Sequence, residues 1–373
     1  MKLLEYEGKK IFSEYGIQIP KGKLFSAGDD PNQFKFPVAI KAQVLMGSRG
    51  KKGLISFAEN KKQMKEQLSY LLNLNEENTK IYEVLIEEKL TIKQEIYASI
   101  FVDRTTKRPL LTVGSVGGID IESADRNKII TRLIDPYIGL SNFILREIIN
   151  KINPKDKILE KKMTDTIKKL YKIYKDYEAE LVEINPLVIS TDNQLIAADA
   201  KIIIDNGGLF RCSKIDHINK YRDLSIFENE IESLGATGVE INKGNVGVVT
   251  SGAGLLMTTI DTIEQSGGSV KAGVDIASIA FDKESKNMIE LLTSLKKIPL
   301  KAILLNFFLQ IGRCDVFAQA INSAFHDCKE DISIIVRLKG NKANLAKKIL
   351  SAKKYYVTED FEDAVNQVIK KSI

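Results

Sequence analysis

The sequence predicts an α/β chain of two domains, a mixed α+β half over residues 1–234 and a doubly wound parallel sheet of flavodoxin type over residues 235–373. Three observations carry this. The chain has 373 residues, more than one ordinary core accommodates. Between residues 82 and 115, three β-rich runs follow one another with no helical stretch between them, which points to antiparallel pairing. After residue 235, strands and helices alternate strictly as five βα units, which points to parallel strands with helices on both faces.

In the first half, residues 3–15 read as a helix stopped by Gly16, and Pro20 keeps the next segment extended. The run PVAIKAQV, residues 37–44, is β-branched and reads as a buried strand. MGSRGKKG, residues 46–53, is a loop of glycines and cations. Met64, Leu68, Leu71 and Leu72 form a helical stripe within residues 60–74. The runs 82–90, 94–102 and 109–115 are strands. Met163, Ile167, Leu170, Tyr174 and Tyr177 share one face of a helix over residues 161–177. Two more strands, 181–189 and 195–204, flank the hairpin signal Asp192-Asn193. In the second half, residues 235–244 read as a connection. Strands are expected at 246–250, 270–276, 302–308, 332–338 and 354–357, and a closing helix at 361–369.

Composition removes several function classes. Hydrophobic residues make up 44% and charged residues 28%, the profile of an ordinary globular chain. The net charge of +6 is spread as Lys beside Glu, a solvated surface and not a nucleic-acid-binding tail. Three cysteines, Cys212, Cys314 and Cys328, with no CxxC, argue against a disulfide framework or a zinc site. Only two histidines are present, His217 in a polar segment and His326 after a helical run, both read as surface residues, so a site of several imidazoles is excluded. The opening MKLLEYEGKK has no apolar core of a secretory signal, and no run reaches the roughly 18 apolar residues that span a bilayer. The expected compartment is the cytoplasm, or an organelle matrix with the targeting peptide already absent.

Three constellations bear on chemistry. Lys41 stands at a strand end beside Gly47-Ser48-Arg49-Gly50, whose glycines expose backbone N–H groups to an anion. The same pattern also describes a plain surface turn. Glu183 and Asn185 are two apart on one strand and face one side, and Asp199 lies on its hairpin partner. With Glu87 and Glu95 they form an acidic set. Asp and Asn oxygens suit Mg²⁺, which takes one or two protein ligands and keeps several waters. The alternative is a turn-flanking acid and an Asn bonded to its own backbone. Ser251-Gly252-Ala253-Gly254 lies where the first strand of the second domain gives way to a helix, a usual seat for an anion; a tight turn needing glycine reads the same. It is not G-x-G-x-x-G, which disfavours a dinucleotide fold. No Ser–His–Asp order, GxSxG or HExxH is present, so the chain shows anion sites without a nucleophile of its own.

These motifs, in order and from end to end, resemble the succinyl-CoA synthetase (succinate–CoA ligase) β-subunit family. The opening Leu3-x-Glu5-Tyr6-x-x-Lys9-x-x-Phe12 carries the resemblance, as do KAQV-x-x-G-x-RGK at 41–51 and VDR at 102–104. So do VEINPLV at 182–188, SGAGLLM at 251–257, RCD at 313–315 and VRLKGN at 336–341. The resemblance implies an ATP-grasp domain followed by a flavodoxin-like ligase domain. It implies nucleotide binding by Lys41, Ser48, Arg49, Gly50, Glu87, Leu90 and Glu95, and Mg²⁺ ligands Asn185 and Asp199. Glu183 matches an acid near a phosphorylated histidine. Ser251, Gly252 and Gly254 with Gln310, Ile311 and Gly312 match the substrate-binding segments. The histidine and the CoA site belong in this family to an α subunit, which fits the missing nucleophile. Pro20 agrees with adenine-preferring members, so ATP is expected over GTP.

The sequence departs from the family mostly in its second half. Ser251 stands where Asn is usual, Asp275-Ile276-Ala277-Ser278-Ile279 replaces a glycine-rich run, and Leu309-Gln310-Ile311-Gly312 replaces another. Val116 replaces a Glu, and Ser48 a glycine. Each lost glycine adds a Cβ where backbone approaches a ligand. Two alternatives follow: a ligase subunit for another acid such as citrate or malate, or a nucleotide-binding partner without turnover.

Overall fold

A computed structural model describes the chain apart from residues 27–33, 46–48, 77–78, 82, 119–124, 153–155, 213, 215–223, 242–243, 277–284, 327–331, 352 and 354. Ser48, His217, Cys328 and residues 277–279 therefore lie outside the described residues. The chain divides into two compact units, Met1–Asp223 and Leu224–Ile373. Among the described residues no helix is long and apolar enough to cross a membrane. Cys212 and Cys314 are buried.

The first unit opens with α1 (Glu5–Glu14). The Glu7 carboxylate accepts the Leu4 backbone N–H, and Gly16 closes the helix at φ +70°, a left-handed ending that glycine adopts without strain. Strands β1 (Gly22–Ser26), β2 (Val38–Ala42) and β3 (Ile55–Ala58) follow. α2 (Lys61–Asn73) is capped by Asn60, which accepts from Gln63 N, and buries Met64, Leu68 and Leu71 as the stripe predicts. A short pair, β4 (Asn75–Glu76) and β5 (Thr79–Lys80), precedes β6 (Glu83–Glu88). β6 does not pair with the strands that follow it. It enters an antiparallel sheet of order β1-β6-β2-β3, packed on α2. Proximity in sequence favoured a meander over residues 82–115, and the apolar face shared with β2 overrides it.

The second sheet of this unit is longer. β7 (Ile92–Asp103), β8 (Arg108–Gly114) and β9 (Ile129–Leu133) form an antiparallel meander. α3 (Asn142–Ile152) and α4 (Lys157–Asp176) then pack on it, with Met163, Ile167, Leu170 and Ile173 of α4 facing the sheet core. β10 (Ala179–Ser190) returns beside β7, and Asn193, at φ 58°, turns the chain into β11 (Leu195–Ala197). β12 (Lys201–Ile204) pairs with the first half of β10. The order is β11-β10-β7-β8-β9, with β12 beside β11 along β10. Pairing of β10 with β7 shifts between Ile184 and Leu187, so Asn185 and Pro186 sit in a bulge.

The second unit begins with α5 (Ile226–Ser233), capped by Ser225. Residues 237–240, expected as part of a connection, form β13 (Thr237–Glu240), an antiparallel edge strand; at four residues it is too short to show a period. The alternation then runs β14 (Val246–Thr250), α6 (Ala253–Gln265), β15 (Val270–Asp275), α7 (Lys286–Ser294), β16 (Ala302–Leu309) and α8 (Cys314–Phe325). β17 (Ser333–Gly340), α9 (Ala343–Leu350), β18 (Tyr356–Thr358) and α10 (Phe361–Ser372) complete it. The order β13-β15-β14-β16-β17-β18 is, for the five parallel strands, the 2-1-3-4-5 order of flavodoxin. α6 and α10 cover one face, and α5, α7, α8 and α9 the other. The central strands β14 and β16 are almost wholly buried and mostly apolar because both faces are covered.

One glycine sets how α1 meets the second sheet. A Cβ on Gly8 would stand 3.0 Å from the Ala200 Cβ, so only a residue without a side chain fits there easily. A valine forces α1 away from β12, and Gly8→Val is expected to destabilise the first unit by about 1–3 kcal/mol. Urea unfolding followed by far-UV circular dichroism checks this; an unchanged midpoint contradicts the packing described.

Candidate functional site

The buried face of α1 carries two charged residues, Glu5 and Lys9, beside Ile11 and Phe12. They are helical neighbours at i and i+4, and Lys9 Nζ lies 2.7 Å from Glu5 Oε1. Lys9 also donates to both oxygens of Glu87 on β6, each at 2.6 Å. Lys41 on β2 donates to Glu5 Oε1 at 2.8 Å and to the Ala198 carbonyl at 2.5 Å. It also lies 3.0 Å from Glu87 Oε2. Arg49, in the turn after β2, holds Glu5 Oε2 at 2.6 Å and donates to the Ala42 carbonyl at 3.2 Å. Its other terminal nitrogen donates to Asp199 Oδ1 at 2.9 Å. Three cations thus face three carboxylates, drawn from α1, β2, β6, the turn after β2 and the break between β11 and β12.

The electrostatics follow from burial and pairing. Burial alone pushes the Glu5 carboxyl up, but Lys41, Lys9 and Arg49 together hold it well below the usual carboxylate range. Burial lowers Lys41, and the carboxylates of Glu5, Glu87 and Asp199 outweigh it, leaving the ammonium above its ordinary value. Arg49 is raised for the same reason, by Glu5 and Asp199. Lys9 is lowered by burial and then by repulsion from Lys41, with Glu5 and Glu87 opposing. Asp199 is raised by burial and by Glu5. The cluster has one open edge. The Asp199 side chain is 30% exposed, while those of Glu5, Lys9 and Glu87 are 1–3% exposed.

Beside this edge lies the β10 bulge. Ala198 N donates to the Pro186 carbonyl at 3.0 Å, which brings the segment carrying Asp199 against Asn185. Asn185 Oδ1 accepts from Gly118 N at 2.8 Å. Gly118, at φ +71°, passes so close to Glu95 that a Cβ there would stand 2.7 Å from Glu95 Oε2. Burial raises the Glu95 carboxyl. Glu183 faces the same side of β10 as Asn185, and its Oε2 accepts from the Tyr97 hydroxyl at 2.8 Å. Among the described residues no group of three or more His, Cys, Asp or Glu is gathered to cage a metal. Asn185 and Asp199 offer instead an amide and a carboxylate oxygen, the hard donors Mg²⁺ takes in ones and twos.

The sequence-predicted residues fall into two groups. In the first unit, Lys41, Arg49, Glu87 and Asp199 meet in one ion network. Asn185, Glu95 and Glu183 line the adjacent face of β7 and β10. Glu87 meets Lys9 and Lys41. Gly50 closes the turn by accepting Gly53 N at 3.3 Å, and Leu90 is half-buried in the β6–β7 connection. In the second unit, Ser251, Gly252 and Gly254 stand at the end of β14 and the start of α6. Gln310, Ile311 and Gly312 stand at the end of β16. These are the first and third parallel strands, so the group sits at the switch point of the sheet. Ser251 Oγ accepts from Phe308 N at 3.1 Å, tying the two strand ends together. Reading motifs did not assign Glu5 or Lys9; their i,i+4 charge pair on an otherwise apolar helix face was the available signal.

Comparison with known proteins agrees with this division. The ATP-grasp domain family matches residues 2–189, and the CoA-ligase family matches residues 249–369. A "succinate–CoA ligase [ADP-forming] subunit beta" of Methanocaldococcus jannaschii is 36% identical over 376 residues, covering 99% of this chain and 100% of that protein. The protein of that name from Desulfurococcus amylolyticus is 33% identical, covering 99% of this chain and 98% of its own length. A GDP-forming counterpart from Thermus thermophilus is 31% identical, with 99% and 98% covered. Among solved structures, ATP citrate lyase from Methanothrix soehngenii, in complex with citrate and coenzyme A, superposes with a TM-score of 0.75 at 17% identity. It covers 96% of this chain and 95% of that one, a likeness of fold.

The ion network makes a stability prediction. Glu5→Gln keeps the shape but leaves three cations against two carboxylates, and is expected to cost the first unit about 3 kcal/mol at neutral pH. The Glu5 carboxyl is depressed in the folded state, so its contribution is complete above about pH 4.5, the value of an unperturbed glutamate, and is lost as pH falls below it. Denaturation midpoints across pH are expected to show an acid decline in the wild type that is smaller in Glu5→Gln. Parallel profiles contradict the role given to Glu5.

Proposed function

The chain belongs to the succinate–CoA ligase β-subunit family, and from that premise we propose that it is the nucleotide-binding subunit of a heteromeric, ADP-forming acid–CoA ligase. With an α subunit that supplies the CoA site and a phosphorylated histidine, it interconverts succinate, CoA and ATP with succinyl-CoA, ADP and phosphate. The supporting observation is that Lys41, Arg49 and Asp199, distant in sequence, meet in one buried ion network whose open side is the Asp199 side chain.

That side suits a polyphosphate. Arg49 is a planar donor of the kind that binds phosphate in two places, and Lys41 stands beside it as a compact charge. The network without ligand is balanced, cation for carboxylate. A phosphate that takes the Arg49 nitrogen now bonded to Asp199 frees that carboxylate. Asn185 and Asp199 would hold Mg²⁺, and when bound it neutralises charge on the phosphates. Lys41 and Arg49, fixed by Glu5 and Glu87, need no rearrangement of their own supports when the terminal phosphoryl group moves. That group passes to the partner's imidazole and then to the acid, and the CoA sulfur displaces it from the acyl phosphate. In the second unit, the group at the sheet switch point offers the N-terminus of α6 to an anionic acid.

Two measurements test this. ATP affinity by calorimetry is expected to rise with Mg²⁺, and Asp199→Ala is expected to lose that gain by about tenfold or more; an undiminished gain removes Asp199 from the metal role. The chain co-expressed with its α subunit is expected to form succinyl-CoA from ATP, succinate and CoA. Thioester from citrate or malate but none from succinate overturns the choice of acid.

A further inference from the structure

We infer that Tyr97 is the positioning residue for Glu183, fixing which oxygen of that carboxylate is presented to the partner's imidazole. The inference rests on the reading of Glu183 as the acid that meets the phosphorylated histidine. Three features of the sheet support it. Glu183 on β10 stands directly across from Ser99 on β7, so Tyr97, two residues before Ser99, is its diagonal neighbour on the same face. That is the offset at which an aromatic side chain reaches across strands. The Tyr97 hydroxyl spans it and donates to Glu183 Oε2 at 2.8 Å.

Second, the two ends of this contact differ in freedom. Tyr97 is 4% exposed and its ring is held in the sheet, whereas Glu183 is half-buried at the surface. A glutamate there has three rotatable bonds, and an anchor on one oxygen removes most of that freedom before a partner arrives. Third, the other oxygen is left available. Glu183 Oε1 has no hydrogen-bond partner among the described residues. With Oε2 committed to a donor, Oε1 is the acceptor that an imidazole N–H meets. A carboxylate so placed fixes the tautomer and leaves the second ring nitrogen to take the phosphoryl group. Tyr97 touches neither nucleotide nor imidazole in this arrangement; it acts through Glu183.

The test is a double-mutant cycle on the complex of this chain with its α subunit, read as initial rates of ATP- and succinate-dependent thioester formation. Tyr97→Phe removes one oxygen and keeps the ring. It is expected to lower kcat about tenfold, the scale of a hydrogen bond to a charged group, with the KM for ATP unchanged, which also reports an intact fold. In a Glu183→Gln background the same change is expected to have no further effect. Losses that multiply, or a raised KM for ATP with kcat unchanged, make Tyr97 a structural residue and overturn the proposal. A slow Glu183→Gln beside a Tyr97→Phe of full activity overturns it as well, with Glu183 keeping its role. A fully active Glu183→Gln removes the reading of Glu183 and this inference together.

Discussion

The first unit depends on one interaction, the grip of the Glu5 carboxylate on three cations. Its two oxygens are shared among Lys9, Lys41 and Arg49, all within 2.8 Å. Isolated, a carboxylate this deeply buried would take up a proton. Surrounded as it is, it stays ionised and becomes the point where α1, the four-stranded sheet and the turn after β2 meet. Arg49 extends the grip to Asp199, and so to the second sheet. A cluster of this kind is a poor source of stability compared with apolar packing. What it provides is a set of cations already oriented and desolvated, which is what binding a triphosphate demands.

Much of this fold is legible in the sequence because it rests on periodicity. The stripe Met64, Leu68, Leu71 and the face Met163, Ile167, Leu170 follow the helical period, and the apolar runs after residue 246 follow from a sheet covered on both faces. Asp192-Asn193 marks the turn between β10 and β11 by local chemistry alone. The partner of β6 is not legible in this way. Strand pairing is decided by which apolar faces combine, and no local pattern reports that β6 joins β1 and β2 instead of β7. β13 is hidden for a different reason: an edge strand of four residues borrows its regularity from β15.

The candidate site divides along the same line. Lys41, Arg49, Asn185 and Asp199 stand out because their residue types and spacing carry chemistry. Glu5 and Lys9 do not, because a charged pair one helical turn apart is an ordinary surface feature until the helix is known to be buried there. The Gly8 contact with Ala200 buries it, and that contact joins residues almost two hundred positions apart. For Glu87 the family resemblance implies nucleotide contact, and in this structure its carboxylate meets Lys9 and Lys41.

The proposed reaction turns on transfer of a terminal phosphoryl group from nucleotide to a histidine that this chain does not supply. The most direct measurement is to mix the purified two-subunit complex with Mg²⁺ and γ-labelled ATP, separate the subunits, and determine where the label resides and whether acid releases it. Acid-labile label is expected on the α subunit and none on this chain. Absence of label from the α subunit, or stable label on this one, would contradict the proposed reaction.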